Sequence, residues 1–325
     1  MTTNVEATIP KKRVETKRRS FWADVIIRLV REKPLGTFGA IVVIILLVVG
    51  IFANFIAPYG MNQMHLNAIL SPPSFKYLLG NDQLGRDLLS RLIYGARISM
   101  IIGILGTTLS SVVSIVIGLI SGFIGGATDM IVQRFVDGFM SVPGFLLLLT
   151  IMSIVGNGMF QIIIVLGITF GIVGSRVIRS AVIAIKSNIY VSASEAIGCS
   201  PIRLMIRHIL PNIMAPIIIN FTIGLGGTIM MEASLSYLGF GVPPGIPSWG
   251  SMLSNEGRKY MQQAPNLALW PGFCLTIVVY GVNMFGDALR DILDPRLRGG
   301  VGSYSLKGNK LRKLKEETVN RQPMV

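Results

Sequence analysis

The chain has few of the side chains on which most enzymes and metal proteins depend. It holds two cysteines and two histidines in 325 residues. Cys199 falls in a predicted loop and Cys274 in a predicted membrane span, which argues against a disulfide framework. No His/Cys/Asp cluster has metal-ligand spacing. His65 and His208 sit in different loops, so no span carries a histidine and an intramembrane Ser-His protease is disfavoured. No Gly-x-x-x-x-Gly-Lys-Ser/Thr occurs, so the chain does not hydrolyse ATP through a P-loop. With no catalytic constellation, a membrane enzyme is the weakest functional class. Charge is also scarce. Charged residues are 14% of the chain against 51% hydrophobic, and the mean hydropathy is +0.62. That composition excludes a soluble globule and indicates a polytopic membrane protein in contact with the lipid bilayer.

The charges present are mostly basic, for a net +14. No basic surface interleaved with aromatics accompanies them, so nucleic acid is not an expected partner. Residues 1–19 hold Lys11, Lys12, Arg13, Lys17, Arg18 and Arg19 and read as a basic, disordered tail. Residues 20–33 place Phe21, Trp22, Val25, Ile26, Leu29 and Val30 on one helical face, with Asp24, Arg28, Arg31 and Glu32 largely opposite. This is the pattern of an amphipathic helix lying in the membrane interface. Pro34 ends it, and the uncharged run Gly36–Ala57 is long enough to cross a bilayer core of about 30 Å. It lacks a signal peptide's cleavage site and is expected to stay as an anchor.

Five more spans follow. Ile98–Thr128 holds the second, with Gly106, Ser110, Ser114, Gly118, Gly122 and Gly126 at every fourth position, a flat ridge suited to close helix packing. The third runs roughly over 130–155 with Pro143 as an expected kink, and Arg134 and Asp137 near its start can pair. Gly156-Asn157-Gly158 is a turn, and the fourth span, roughly 160–178, carries a second small ridge of Gly167, Gly171 and Ser175. The fifth covers about 209–236 and the sixth about 268–286. Segments 58–96 and 237–267 are loops on one side. On the other side, Asp287, Asp291 and Asp294 with Arg290, Arg296 and Arg298 read as a salt-bridged helix end, and residues 299–325 form a basic tail. The expected fold class is therefore an all-α membrane protein with six transmembrane helices behind an amphipathic interfacial helix.

Charge sets the orientation. Segments 1–35, 176–208 and 289–325 hold 23 Lys and Arg, against 6 in segments 58–97 and 237–267. The positive-inside rule then places both termini and the 176–208 loop in the cytoplasm.

That loop contains Tyr190–Asn212, YVSASEAIGCSPIRLMIRHILPN, a polar stretch with apolar residues running through it. Two short helices joined at Gly198 would make a small amphipathic knob. The stretch resembles the cytoplasmic "EAA" loop of bacterial ABC importer permeases, which reads Glu-Ala-Ala, three residues, Gly, nine residues, Ile, one residue, Leu-Pro. With the glycine at Gly198 the triplet falls on Ser192-Ala193-Ser194, the acidic residue is displaced to Glu195, His208 takes the distal Ile position, and Leu210-Pro211 closes the pattern. A second stretch, LLGNDQLGRDLLSRLIYGARIS (residues 78–99), has Asp82, Gly85, Arg86, Asp87, Ser90, Arg91, Gly95 and Arg97 where the C-type permeases of oligopeptide, dipeptide and nickel importers have them. GDALRDILDPRLR (286–298) matches that family's ending.

The resemblance spans roughly residues 20–298. It implies a MetI-like ABC importer permease fold, with 20–72 as the N-terminal permease segment and 97–298 as the type-1 permease domain containing a coupling loop over 190–211. The implied partners are a second permease subunit, cytoplasmic ABC ATPase subunits and an extracytoplasmic solute-binding protein. This chain would bind no cofactor, ATP being used by the ATPase subunits, and would sit in a bacterial or archaeal cell membrane. Ser192, Ala193, Ser194, Glu195, Ala196, Gly198, Arg203 and Arg207 would couple to the ATPase, although Arg203 and Arg207 suit phospholipid headgroups equally well. On the fifth span, Asn220, Thr228 and Glu232 are candidates for the translocation path. Ordinary interhelical hydrogen bonding explains the first two as well, and a carboxylate holding a closed state explains Glu232 slightly better than contact with solute. Peptides are the first expectation for the solute, with nickel or another small solute as the alternative. A stand-alone secondary transporter or channel subunit is more distant, because no repeat symmetry is evident.

Overall fold

A computed structural model of the chain describes residues 21–293, whose described elements are helical, with isolated bridges only at Met64–Arg86 and Asn81–Asp87. The two basic tails, the side chains of Phe21, Trp22 and Asp24, and Asp294, Arg296 and Arg298 lie outside the described residues.

Helix α1 (Phe21–Glu32) ends beside Lys33, and Pro34 opens α2 (Pro34–Ile51). A proline in a first turn gives up only an N–H that has no helical partner there. So Pro34 both ends the first helix and starts the first span. A short α3 (Ala53–Ile56) follows. The apolar face of α1 is divided. Val25 and Leu29 are buried in a cluster with Ala288 and Ile292, while Ile26 and Val30 are exposed, as an interfacial helix requires.

The second span is longer than expected. α4 runs Leu88–Ile124, 37 residues, and starts ten residues before the uncharged run. Asp87 explains the early start, because its carboxylate accepts from the Ser90 N–H at 2.8 Å and from the Ser90 hydroxyl at 2.7 Å, capping the helix. The turns after Leu88, expected as loop, are therefore helix. Gly125 and Gly126, both with positive φ, end α4, so Gly126 lies beyond the ridge it was expected to extend.

The third span is broken. α5 (Gly126–Ser141) and α6 (Gly144–Val155) meet at 88°. Val142 and Pro143 between them are extended (ψ 134° and 121°). Proline disfavours helix in the residue before it and has no N–H to donate, so Pro143 separates the two arms completely where a kink was expected.

α7 (Met159–Lys186) runs eight residues past its expected end, and α8 (Ile189–Ala196) follows at once. α9 (Pro201–Arg203) is continuous through a π turn (Leu204–Ile209) and a 3-10 turn (Leu210–Ile213) with α10 (Met214–Tyr237). The fifth span thus starts at Pro201, and the second short helix of the expected knob is its first turns. Pro211 accounts for the irregular turns, since it cannot donate to the preceding helix. A short α11 (Trp249–Met252) and α12 (Asn266–Leu293), with Pro271 inside it, complete the chain.

Five of these helices are long and apolar enough to cross a membrane, and the bent pair makes a sixth crossing. Successive crossings alternate in direction. α12 lies antiparallel to α2, with Gly36 against Ala288 and Gly39 against Gly281. α10 lies antiparallel to α12, with Gly226 against Asn283 and Gly286 against Thr222. α1, α8 and the end of α12 therefore share one end of the bundle, where Lys33 pairs with Asp291 at 2.5 Å. α11 lies at the other end.

The two small-residue ridges pack on each other. α4 and α7 run parallel, with Gly167 against Leu109, Gly171 against Val113, Gly118 against Ile178 and Gly122 against Val182. The Ser114 hydroxyl donates to the Gly171 carbonyl across the seam at 2.9 Å. A Cβ at Gly118 would come within 2.7 Å of Ile178 Cβ and 2.9 Å of the Arg179 backbone nitrogen. Backbone cannot yield as a side-chain tip can. Gly118→Leu is therefore expected to destabilise the purified chain by about 3 kcal/mol, the upper part of the overpacking range. Gly138→Ala, with nothing within 4 Å, should leave thermal unfolding unchanged. Equal unfolding midpoints for the two variants would contradict the seam.

Candidate functional site: an exposed helix between two spans

The structure places the sequence-predicted coupling residues on α8 and the turns after it. α8 is held at its ends by neighbours in sequence, and Val191 is its one buried residue. Ile189 (88% exposed), Tyr190, Ile197 (87% exposed), Ile202 and Ile206 surround it with open apolar surface. Ser192, Ala193, Glu195 and Ala196 are exposed, and Ser194 is half-buried, its hydroxyl donating to the Tyr190 carbonyl at 2.8 Å. Ser192 and Glu195 are three apart, so they are neighbours on one face of the helix. The carboxylate displaced from the head of the triplet is thus offered from the same side.

Gly198 has φ +85° and nothing within 4 Å of a would-be Cβ. Its role is conformational. The Gly198 N–H donates to the Glu195 carbonyl at 2.9 Å and the Cys199 N–H to the Ser194 carbonyl at 3.1 Å, the paired bonds of a Schellman end that favours glycine at this position. Arg203 and Arg207 are exposed and form no ion pair among the described residues. They flank the same patch, Arg203 just before the π turn and Arg207 within it. α8 and the turns after it thus present hydroxyls, one carboxylate, two guanidinium groups and isoleucines. Apolar surface rimmed by charge is the pattern of a protein- or membrane-interaction site.

The three path candidates lie on α10, toward the subunit's interior. Asn220 is half-buried where α10 meets α4 and α7, its amide 3.0 Å from a would-be Cβ on Gly174. Thr228 is buried and shares a hydrogen bond with Thr107 of α4 at 3.1 Å. Glu232 is 0% exposed. Its Oε1 accepts from the Ser236 hydroxyl at 2.7 Å, and Oε2 has no hydrogen-bond partner among the described residues.

Sequence reasoning missed two polar constellations. At the α11 end, Asp82, Arg86, Arg91 and Glu256 are all buried. Arg86 Nε meets Asp82 at 2.6 Å, while Arg86 Nη2 and Arg91 Nη2 meet Glu256 Oε1 at 2.8 and 3.0 Å. Burial pushes the Glu256 carboxyl above its ordinary range, against the opposing pull of Arg91 and Arg86. Trp249 closes the same junction, its Nε1–H donating to the Leu92 carbonyl at 3.1 Å. Glu256 is the single acid in the whole 237–267 loop, which was the available signal, because a lone acid facing an arginine-bearing segment has an obvious partner. At the α8 end, Asp129 of α5 holds Arg179 of α7. Asp137 takes Arg176 as its close partner, leaving the expected Arg134 at 4.0 Å and largely exposed.

Residues 114–299 match the family model described as "Binding-protein-dependent transport system inner membrane component", and residues 20–73 match that of the "N-terminal TM domain of oligopeptide transport permease C". The chain is 37% identical over 287 residues to the oligopeptide transport system permease protein OppC of Bacillus subtilis (strain 168), covering 88% of this chain and 93% of that protein. It is 35% identical over 297 residues to the glutathione transport system permease protein GsiD of Escherichia coli O157:H7, covering 91% and 96%. Among solved structures it is similar to a chain of the MetNI methionine ABC transporter in an inward-facing conformation, with TM-score 0.51 and 21% identity, over 63% of this chain and 96% of that one. That likeness concerns the fold.

Proposed function

The chain belongs to the family of binding-protein-dependent transport system inner membrane components, and from that membership we propose that it is the permease subunit of an ATP-driven importer of di- and oligopeptides. The observation that carries the coupling half of this reading is α8. It is a short helix with open isoleucines and a glycine-terminated end, set directly between two spans. The positive-inside charge bias assigns that end of the bundle, with both termini, to the cytoplasm of a bacterial or archaeal cell. An ATPase subunit docks on α8 through Ser192, Ala193, Ser194, Glu195 and Ala196, with Arg203 and Arg207 at the rim and Gly198 fixing the shape. ATP is bound and hydrolysed on those partner chains.

A second permease chain completes the translocation path; of the candidates on α10, Asn220 is half-buried, while Thr228 and Glu232 are buried inside this subunit, where Glu232 suits a carboxylate that holds a closed state. An extracytoplasmic solute-binding protein delivers the solute at the α11 end. Residues 20–72 form the N-terminal segment and 97–298 the permease domain, with basic tails over 1–19 and 299–325. Peptides are the favoured solute because the relatives are named for oligopeptide and glutathione, itself a tripeptide.

Alternating access supplies the mechanism. Closure of the ATPase pair displaces α8, the tightly packed α4–α7 unit moves with it, and the path opens toward the binding protein. The test is uptake of radiolabelled trialanine into proteoliposomes holding both permeases, the ATPases and the binding protein. Uptake is expected only with every component and ATP present. Nickel uptake without trialanine uptake would overturn the peptide assignment. ATP-independent uptake by the purified chain alone would establish a stand-alone transporter instead.

A further inference from the structure

α5 is held to the subunit by very little packing. Of its 16 residues only Val136 is buried, while Met130, Ile131 and Phe135 are well exposed. Continuity with α6 does not fix it either, because the two extended residues at the 88° break transmit no helical hydrogen bonds.

The ties that do hold it are ionic. Asp129 receives the Arg179 guanidinium in a two-pronged pair, with Nε at 2.6 Å and Nη2 on the other oxygen, and also accepts from the Ser121 hydroxyl of α4. Gln133, one turn on, donates to the same Ser121 oxygen at 3.1 Å. Two turns beyond Asp129, Asp137 receives Arg176. Two-pronged arginine–carboxylate pairs fix orientation as well as distance. Charges placed in membrane-spanning segments are costly and are retained mainly for function.

Both arginines belong to α7, three residues apart and so on one side of it. α7 runs through Lys186 to α8 with only Ser187 and Asn188 between. Lys186 is fixed in turn, donating to the Phe123 carbonyl at the end of α4 at 2.6 Å. A displacement of α8 therefore reaches the last turns of α7 first. The glycine seam locks α7 to α4 over their length. α5 follows α4 through Gly125 and is hydrogen-bonded to Ser121, and the two ion pairs are its side-chain ties to α7.

We propose that Asp129–Arg179 and Asp137–Arg176 form an ionic clasp that makes α5 move with α7 and the coupling helix. The four residues are positioning residues of the transport cycle. The functional half of this inference rests on the reading of α8 as the ATPase-docking helix, but the mechanical half does not.

The test reads the mechanical half directly. In the Cys199→Ser, Cys274→Ser background, spin labels at Ile131→Cys on α5 and Ser187→Cys at the end of α7 report the distance between the two elements. The assembled complex in nanodiscs is measured by pulsed dipolar spectroscopy with and without vanadate-trapped Mg-ATP. With the clasp intact, a single narrow distribution is expected under both conditions. The R176D/R179D variant is expected to broaden it at least twofold and to lower trialanine uptake at least tenfold. Adding D129R and D137R, which restores both pairs with exchanged charge, should narrow the distribution again and recover uptake. The half-exposed pair alone, broken in R176D, should give a smaller broadening in a chain that folds normally. Wild-type width in R176D/R179D, or no recovery in the exchanged variant, overturns the clasp. A narrow distribution in a wild-type chain that recruits no ATPase would instead overturn the docking role of α8 and leave the clasp standing.

Discussion

Gly198→Pro is expected to reduce ATP-driven uptake to background while the chain still inserts and packs. Proline holds φ near −65°, and Gly198 sits at +85°. The substitution also removes the N–H that donates to the Glu195 carbonyl, and the altered backbone displaces the Cys199 N–H from Ser194. Both bonds that terminate α8 are lost, and the isoleucine patch loses its shape. Nothing packs within 4 Å of a would-be Cβ at this position, so the bundle itself is untouched. Gly198→Ala separates the two contributions. It keeps both N–H groups and faces only the left-handed backbone cost, about 1–2 kcal/mol, so partial uptake is expected. Uptake by Gly198→Pro at the wild-type rate, measured in proteoliposomes beside Gly198→Ala, would remove α8 from the coupling path.

The second large effect concerns stability at the opposite end. Glu256→Ala takes the shared carboxylate from Arg86 and Arg91, both buried. Removing one member of a buried ion pair leaves an uncompensated charge and costs about 3–5 kcal/mol. The unfolding midpoint in detergent should fall on the order of 10 °C. Asp137→Asn, at a half-exposed pair, should cost no more than about 1 kcal/mol. Similar midpoints for the two variants would mean that the buried quartet does not staple the 78–91 segment to the 248–257 loop.

The spans were legible because uncharged runs of membrane-crossing length have few alternatives. Their ends were less legible. α4, α7 and the α9–α10 helix all continue past the apolar runs, where polar side chains on a projecting helix have the composition of a loop. Asp87 and its Ser90 partner at the start of α4 were a readable cap, whereas nothing local marked the continuation of α7 to Lys186. The small-residue ridges were readable as ridges, but pairing them with each other needs three dimensions. Pro143 announced a disturbance, and the 88° break follows from two consecutive extended residues that no periodicity reveals. The family was legible from Gly198, Leu210-Pro211 and the 78–99 stretch, and the stretch expected to couple holds the exposed helix α8. The second helix of the knob was misread, because a π turn and Pro211 hide its continuity with α10. The ion pairs of Asp129 and Glu256 were hidden by distance in sequence, 50 residues to Arg179 in one case and 165 to Arg91 in the other.

On the proposed function, α8 is the surface on which an ATPase docks. Affinity purification of the tagged chain from its native membranes, with Mg-ATPase activity assayed in the eluate, measures it directly. The wild-type chain should bring down ATPase activity. Ile189→Asp/Ile197→Asp, which alters only exposed side chains of the patch, should bring down at least tenfold less from membranes containing equal amounts of chain. Equal activity with both chains, or none with the wild type, would contradict the account.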